Sequence, residues 1–289
     1  MKLFEKGMSF ILAVALCCSL AAGAGASTFT DAHGNVIELD DSLEAYTASV
    51  LHGADGAACK GETNLGDLWA DALRWFAVSG KINEFFGEDD VAAGITQITV
   101  DADHIVALWN GGNLKTDIAE GKFGAEELAN VLPYPNTVAV CYMTGAQLLE
   151  QLEACSQGLP FTEETAAACN AFMQVSGLKY TVDTAKAYDK GEAYGDNWFK
   201  AASLGRVAIG EVNGKPFDPE AVYAVVTSNA NVKGMDASYV FKSIAAAEDE
   251  KAVITTAVVR DVVWTYLAEE LANVVGEGYA EAQGRITIR

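Results

Sequence analysis

The sequence predicts an α+β (mixed α/β) fold, a mixed sheet covered by packed helices. Three observations predict it. Apolar residues recur alternately at the helical period and in short continuous runs. Turn residues such as Asn213-Gly214 stand between strand-like stretches. No segment repeats at a fixed period, and no linker or low-complexity tract divides the chain, so interleaved helices and strands share one layered structure.

The elements follow in order. Leu65, Leu68, Trp69, Ala72, Leu73 and Phe76 repeat at helical spacing behind the start signal Glu62-Thr63-Asn64. Residues 104–109 read as a short buried strand that runs into Asn110-Gly111-Gly112. A short helix is expected over 125–131, broken off by Pro133 and Pro135. Residues 137–143 form a second apolar run, and Thr144 is placed to cap a helix carrying Leu148, Leu149 and Leu152. Residues 174–182, 206–212 and 223–228 read as strands, with Asn213-Gly214 as a hairpin turn. A long helix is expected over 258–275, and 285–288 closes the chain as a strand.

Residues 1–26 read as an export signal. Lys2 and Lys6 make a basic start, Met8 to Leu20 is apolar and uncharged, and Ala22-Gly23-Ala24-Gly25-Ala26 offers small residues for cleavage. The run is short for a membrane span, and nothing later is long and apolar enough to make one. The expected location is therefore outside the cytoplasm. Residues 27–60 are less regular and read as an N-terminal extension; residues 61–289 read as the domain. The formal net charge is -21, which repels nucleic acid polymers and anionic lipid. It does not exclude a small anionic ligand, which responds to the local field of its pocket.

Four cysteines follow the signal: Cys59, Cys141, Cys155 and Cys169. No Cys-x-x-Cys pair exists, so a zinc knuckle is not expected. Export permits disulfides, and Cys155 with Cys169, flanking a loop-like stretch, is the expected pair. Closing such a loop stabilises by about 3 kcal/mol in the chain-entropy model. Cys141, inside an apolar strand pattern, reads as a buried free thiol.

Seven stretches carry a resemblance. They are Glu62-Thr63-Asn64-Leu65-Gly66-Asp67-Leu68, Asp103 to Trp109 continuing into Asn110-Gly111-Gly112-Asn113-Leu114-Lys115, and Leu132-Pro133-Tyr134-Pro135-Asn136. Then come Thr144-Gly145-Ala146-Gln147-Leu148-Leu149, Gln174-Val175-Ser176-Gly177-Leu178-Lys179-Tyr180, Gly234-Met235-Asp236 and Gly284-Arg285-Ile286. Each alone is weak. In this order, over about 62–289, the chain resembles the C-terminal domain of the 5'-nucleotidase family.

The resemblance implies a division of labour. In that family a separate metallophosphoesterase domain holds two divalent metals and performs hydrolysis, while the C-terminal domain binds the nucleoside part of the substrate. It also implies candidate ligand residues: Asn110, Gly111, Gly112, Lys115, Tyr134, Asn136 and Asp236. Lys115 replaces the family's arginine, which keeps the charge and loses the planar fork. Tyr134 stands for one aromatic of a base-stacking clamp. The other is replaced by Ala230, with Tyr239 and Phe241 as candidates to compensate. The glycines are expected to let a ligand approach the backbone.

No cofactor is expected in this chain. A two-metal phosphoesterase site needs several histidines and carboxylates, and the histidines number three: His33, His52 and His104. Asp31-Ala32-His33 reads as a turn, and His104 as a structural residue of its strand. Three functions stay open: a secreted binding protein for a nucleotide or nucleoside-like molecule, the substrate-binding half of a split 5'-nucleotidase whose partner is a metallophosphoesterase chain, and a structural cell-surface domain that has lost its ligand.

Overall fold

The computed structural model describes residues 26–30, 34–40, 44–92, 95–247 and 251–289. Thr63 starts helix α1 (Asn64–Val78) by accepting a hydrogen bond from the Gly66 backbone N–H. Strand β1 (Ile105–Asn110) follows, then α2 (Ala125–Val131) and β2 (Thr137–Thr144). Thr144 caps α3 (Gly145–Cys155) in a reciprocal capping box with Gln147. The stretch 174–182 is not one strand. It divides at Gly177, whose φ of +81° turns β3 (Met173–Ser176) out of one sheet and β4 (Leu178–Val182) into another. Next come β5 (Val207–Val212), β6 (Val222–Ser228), α4 (Tyr239–Ala245), β7 (Ala252–Val258), α5 (Val259–Glu269) and β8 (Ile286–Ile288). Asn213 and Gly214, both at positive φ, make the two-residue turn after β5.

The fold is a mixed α/β structure. Among the described residues, the central sheet has five strands in the order β7-β2-β6-β1-β3, with β6 and β1 parallel and the other neighbours antiparallel. Both its faces are covered, which is why the strands read as unbroken apolar runs. Ile105, Ala107, Trp109, Val138, Val140, Ala224 and Val226 point into one core with α1 and α5. Their neighbours Val106, Leu108, Cys141, Met143, Tyr223 and Val225 point into another, with α3, α4 and a second sheet containing β5, β4 and β8. Residues 44–60, read from the sequence as part of an extension, supply Ala45, Leu51 and Ala58 to the first core.

The last helix is shorter than its apolar pattern suggests. α5 stops at Glu269, because Ala272 and Asn273 take left-handed φ of +50° and +61°. Val274 and Val275 then pair in parallel with Tyr46 and Thr47. The two valines that extend the helical periodicity thus belong to a sheet formed with the beginning of the domain.

The chain's end is locked to α1. Arg285 donates to Asp71 Oδ2 at 2.7 Å and to the Val175 carbonyl at 2.8 Å, and lies 3.7 Å from Asp67 Oδ1. Tyr279 and Ser176 also donate to Asp71, and the Glu62 carboxylate accepts the backbone N–H groups of Arg285 and Ile286. Gln174 of β3 ties the turn before α1 in place. Its Nε2 donates to the carbonyls of Ala58 and Gly61, and its Oε1 accepts from Thr63. The Ala58 carbonyl so fixed lies directly against Gly111.

These contacts set two measurable expectations. Burial pushes the Asp67 carboxyl up to about 8, against the pull of Arg285. An unfolded aspartate titrates near ~3.9, so between about pH 4 and 8 the folded state holds a proton that the unfolded state has released. This stabilisation is complete below the unfolded value and is lost as pH rises through the folded one. Thermal melts should therefore show Asp67→Asn gaining on the parent as pH is raised across that window; a pH-independent difference would contradict the assignment. Second, a Cβ at Gly111 would sit 1.8 Å from the Ala58 oxygen, whereas one at Gly205 meets open space. Gly111→Ala should cost about 3 kcal/mol in denaturant unfolding and Gly205→Ala less than about 0.5 kcal/mol.

Candidate functional site

Four adjacent strands bring one end to a common edge of the central sheet. β1 and β6 run parallel and finish there, at Asn110 and Ser228. β2 and β3 run antiparallel to them and begin there, at Thr137 and Met173. The carboxyl ends of neighbouring parallel strands are a recurrent place for ligands in α/β sheets. The segments at these ends converge on a cleft of about 700 Å³ that includes Gly112, Lys115, Tyr134, Asn136, Lys233 and Asp236.

Each wall has a local cause. After β1 the chain makes a tight turn over Gly111–Asn113, and the Lys115 ammonium folds back to donate to the Gly112 carbonyl. The same ammonium lies 5.6 Å from the centre of the Tyr134 ring, within cation–π range. Tyr134 is 42% exposed, a large aromatic held open to solvent between Pro133 and Pro135. Asn136 is buried, and its carbonyl accepts from Val259 N–H, which anchors this wall to α5.

The opposite wall leaves β6 through Ser228, whose side chain caps the turn Asn229–Val232. Asp236 then takes a left-handed φ of +54°, a conformation that aspartate tolerates better than most residues. Buried Asn110 donates from Nδ2 to Asp236 Oδ2 at 3.1 Å. Burial raises the Asp236 carboxyl above its ordinary range, while the Asn110 hydrogen bond and the Lys115 charge pull it back.

Of the seven residues singled out in the sequence, five line the cleft: Gly112, Lys115, Tyr134, Asn136 and Asp236. Asn110 stands behind Asp236 and holds it. Gly111 has a different role from the one expected. Its missing side chain makes room for the Ala58 carbonyl, and that of Gly112 for Asn170 Cα, so both glycines accommodate the protein's own chain. Tyr239 and Phe241 do not replace the aromatic absent at Ala230. Phe241 is fully buried in the second core, and Tyr239 donates to Glu150 and accepts from Ala201 N–H. Sequence reasoning missed Asn113, Asn170, Asn229, Lys233 and Met235. Lys233, three residues before Asp236, was within reach of a search for charges around that turn; Asn170 comes from a segment with no motif.

The expected Cys155–Cys169 pair is not formed; all four cysteines are free and buried. Cys155 Sγ accepts from Gln151 Nε2 at 2.9 Å inside the second core. Cys169 instead neighbours Cys59, whose thiol is pushed up to about 12 by burial and then by Cys169, and lies 3.7 Å from Asn170 Oδ1. Arg206, donating to the carbonyls of Ser156 and Leu159, holds the intervening loop in a course that leaves the two sulfurs in different surroundings. Cys141 is a buried free thiol.

The described residues do not fit a two-metal centre. Among the described residues, no group of three or more His, Cys, Asp and Glu is placed to hold an ion. His52 lies 4.0 Å from Asp117, and His104 packs 5.6 Å from the Tyr223 ring. His33 and its neighbours Asp31 and Ala32 lie outside the described residues. Among the described residues, no helix is long and apolar enough to cross a membrane.

Comparison with known proteins agrees with this geometry. The family model described as "5'-nucleotidase, C-terminal domain" matches residues 44–243. The trifunctional nucleotide phosphoesterase protein YfkN of Bacillus subtilis (strain 168) is 34% identical over 136 residues, which are 47% of this chain and 8% of that protein. The crystal structure of a 5'-nucleotidase precursor from Thermus thermophilus superposes with a TM-score of 0.58 at 27% identity, over 84% of this chain and 39% of that one. The Haemophilus influenzae NAD nucleotidase (NadN) gives 0.58 at 12% identity, over 91% and 48%, and so shares the fold. The chain thus spans less than half the length of these relatives. With the matched segment reaching from residue 44 through the cleft-bearing turn at Asp236, the chain belongs to the 5'-nucleotidase C-terminal domain family.

Proposed function

We propose that the protein is an extracytoplasmic binding protein for a nucleotide or nucleoside-like ligand, held in the cleft between Tyr134 and Asp236. The observation that carries this reading is convergence: Lys115, Tyr134 and Asp236, far apart in sequence, line one open cleft. An exposed aromatic face offers a base about 1–3 kcal/mol of stacking. The Asp236 carboxylate, oriented by Asn110, is placed to accept hydrogen bonds from sugar hydroxyls. A volume of about 700 Å³ falls within the range of small-molecule sites. Export rests on the pattern of residues 1–26, and N-terminal sequencing of the mature protein tests it.

A second reading rests on the family match over residues 44–243. In it, this chain supplies the nucleoside cleft to a metallophosphoesterase domain carried on another polypeptide. Phosphate release from AMP by the two chains mixed with manganese or zinc, and by neither alone, is the expected result.

Calorimetry with adenosine, AMP and a UDP-sugar on the mature protein tests the primary reading. Tyr134→Ala should weaken binding roughly 5- to 150-fold, the equivalent of one lost stack. Affinity should hold at neutral pH and fall on acidification, because protonation of Asp236 removes an acceptor. That fall should begin at a higher pH than for an ordinary carboxylate and flatten in Asp236→Asn. Absence of heat for all three ligands at millimolar concentration would refute the proposal.

A further inference from the structure

We propose that Cys59 and Cys169 are a disulfide-forming pair, whose covalent link fastens together the two segments that enclose the Gly111–Asn113 turn at the floor of the cleft. The link stands whatever ligand the cleft holds.

Two segments far apart in sequence close around that turn. On one side is the short helix Ala57–Lys60, whose Ala58 carbonyl lies against Gly111. On the other is the helical turn Ala166–Ala171, whose Asn170 backbone lies against Gly112. Phe172, the next residue, accepts the Gly111 N–H at 2.8 Å. Cys59 directly follows Ala58, and Cys169 directly precedes Asn170. The two segments also meet each other beside the turn. The Cys59 thiol donates to Asn170 Oδ1 at 3.7 Å and lies in side-chain hydrogen-bonding contact with Cys169. A bond between these sulfurs therefore joins segments that already touch.

The other two cysteines are placed differently. Cys141 and Cys155 lie in the second core. Burial alone raises the Cys141 thiol, and Cys155 Sγ accepts from Gln151 Nε2. The export read from residues 1–26 would carry the chain to a compartment where disulfides persist.

The chemistry needs an oxidant, which we take to be a disulfide: a small thiol compound in its oxidised form, or a thiol oxidoreductase carrying one. Cys169 is 8% exposed and Cys59 2%, so Cys169 is the more accessible sulfur. As thiolate it attacks the oxidant's disulfide, forms a mixed disulfide and releases one sulfur as a thiol. Cys59 then attacks the Cys169 sulfur and releases the second. Two protein thiols are oxidised to one disulfide, one oxidant disulfide is reduced to two thiols, and the protein's two protons pass to the released sulfurs. Burial, and then the neighbouring Cys169, push the Cys59 thiol up to about 12. That suits it to the resolving step, in which the target sulfur is already beside it.

The test begins with the reduced mature protein, refolded with and without oxidised glutathione, alkylated under denaturing conditions and mapped by peptide mass. The oxidised sample should contain one cross-link, between the Cys59 and Cys169 peptides, with Cys141 and Cys155 alkylated. The closed loop is long, so the oxidised parent should melt at least about 5 °C above the reduced one. Cys59→Ser and Cys169→Ser should each lose that gain, and amide hydrogen exchange at Gly111 should slow on oxidation of the parent. The peptide map is made on the parent, so a serine variant that fails to fold leaves it decisive. Four alkylated cysteines after oxidation, or a Cys155–Cys169 link, would overturn the pairing. A Cys59–Cys169 link that changes neither melting nor Gly111 exchange would overturn its place at the cleft floor.

Discussion

The guanidinium of Arg285 is the contact on which the arrangement of this domain depends. It is largely buried, and taking a charge out of water costs several kcal/mol unless its partners are complete. Here they come from two elements: the Asp71 carboxylate and, at longer range, Asp67 on α1, and the Val175 carbonyl on β3. Tyr279 and Ser176 satisfy the oxygens of Asp71 in turn. The last strand is therefore fastened to the first helix by directional bonds, and neither can shift without orphaning a buried charge.

The consequences reach the cleft through β3. Arg285 holds the Val175 carbonyl, and adjacent Gln174 holds the carbonyls of Ala58 and Gly61. The Ala58 oxygen is the surface against which Gly111 closes, and Gly111 begins the turn that presents Gly112 and Lys115. The cleft's floor is thus set by a relay of backbone positions, each held by a side-chain hydrogen bond or a close packing contact. Gly111, Gly112 and Asn110 maintain the cleft's shape, while Lys115 and Tyr134 stand on its wall.

Much was legible from the residues alone, for physical reasons. A strand buried on both faces is an apolar run, so β1, β2 and β6 stand out. A helix start needs a side-chain acceptor for its free N–H groups, so Thr63 and Thr144 announce α1 and α3. The turn at Asn213-Gly214 is local because left-handed φ is a property of those two residues. Other features were not legible. The break at Gly177, the end of α5 at Ala272 and Asn273, and the entry of Val274 and Val275 into a sheet depend on partners distant in sequence. Periodicity alone continues the helix to Val275, and only pairing with Tyr46 and Thr47 decides otherwise.

By itself, then, the sequence determined the layers, through hydrophobic period, capping and turn preference, and its resemblance to the family singled out five of the residues that line the cleft. Tertiary structure decided what each residue does there. It moved Gly111 from ligand approach to chain packing, put Cys169 beside Cys59 and away from Cys155, and withdrew Tyr239 and Phe241 into the core. It also brought Lys233 and Asn170 to the cleft. Whether a charge is paired or a side chain faces solvent depends on which distant segments come to lie against it, and only the folded chain brings those segments together.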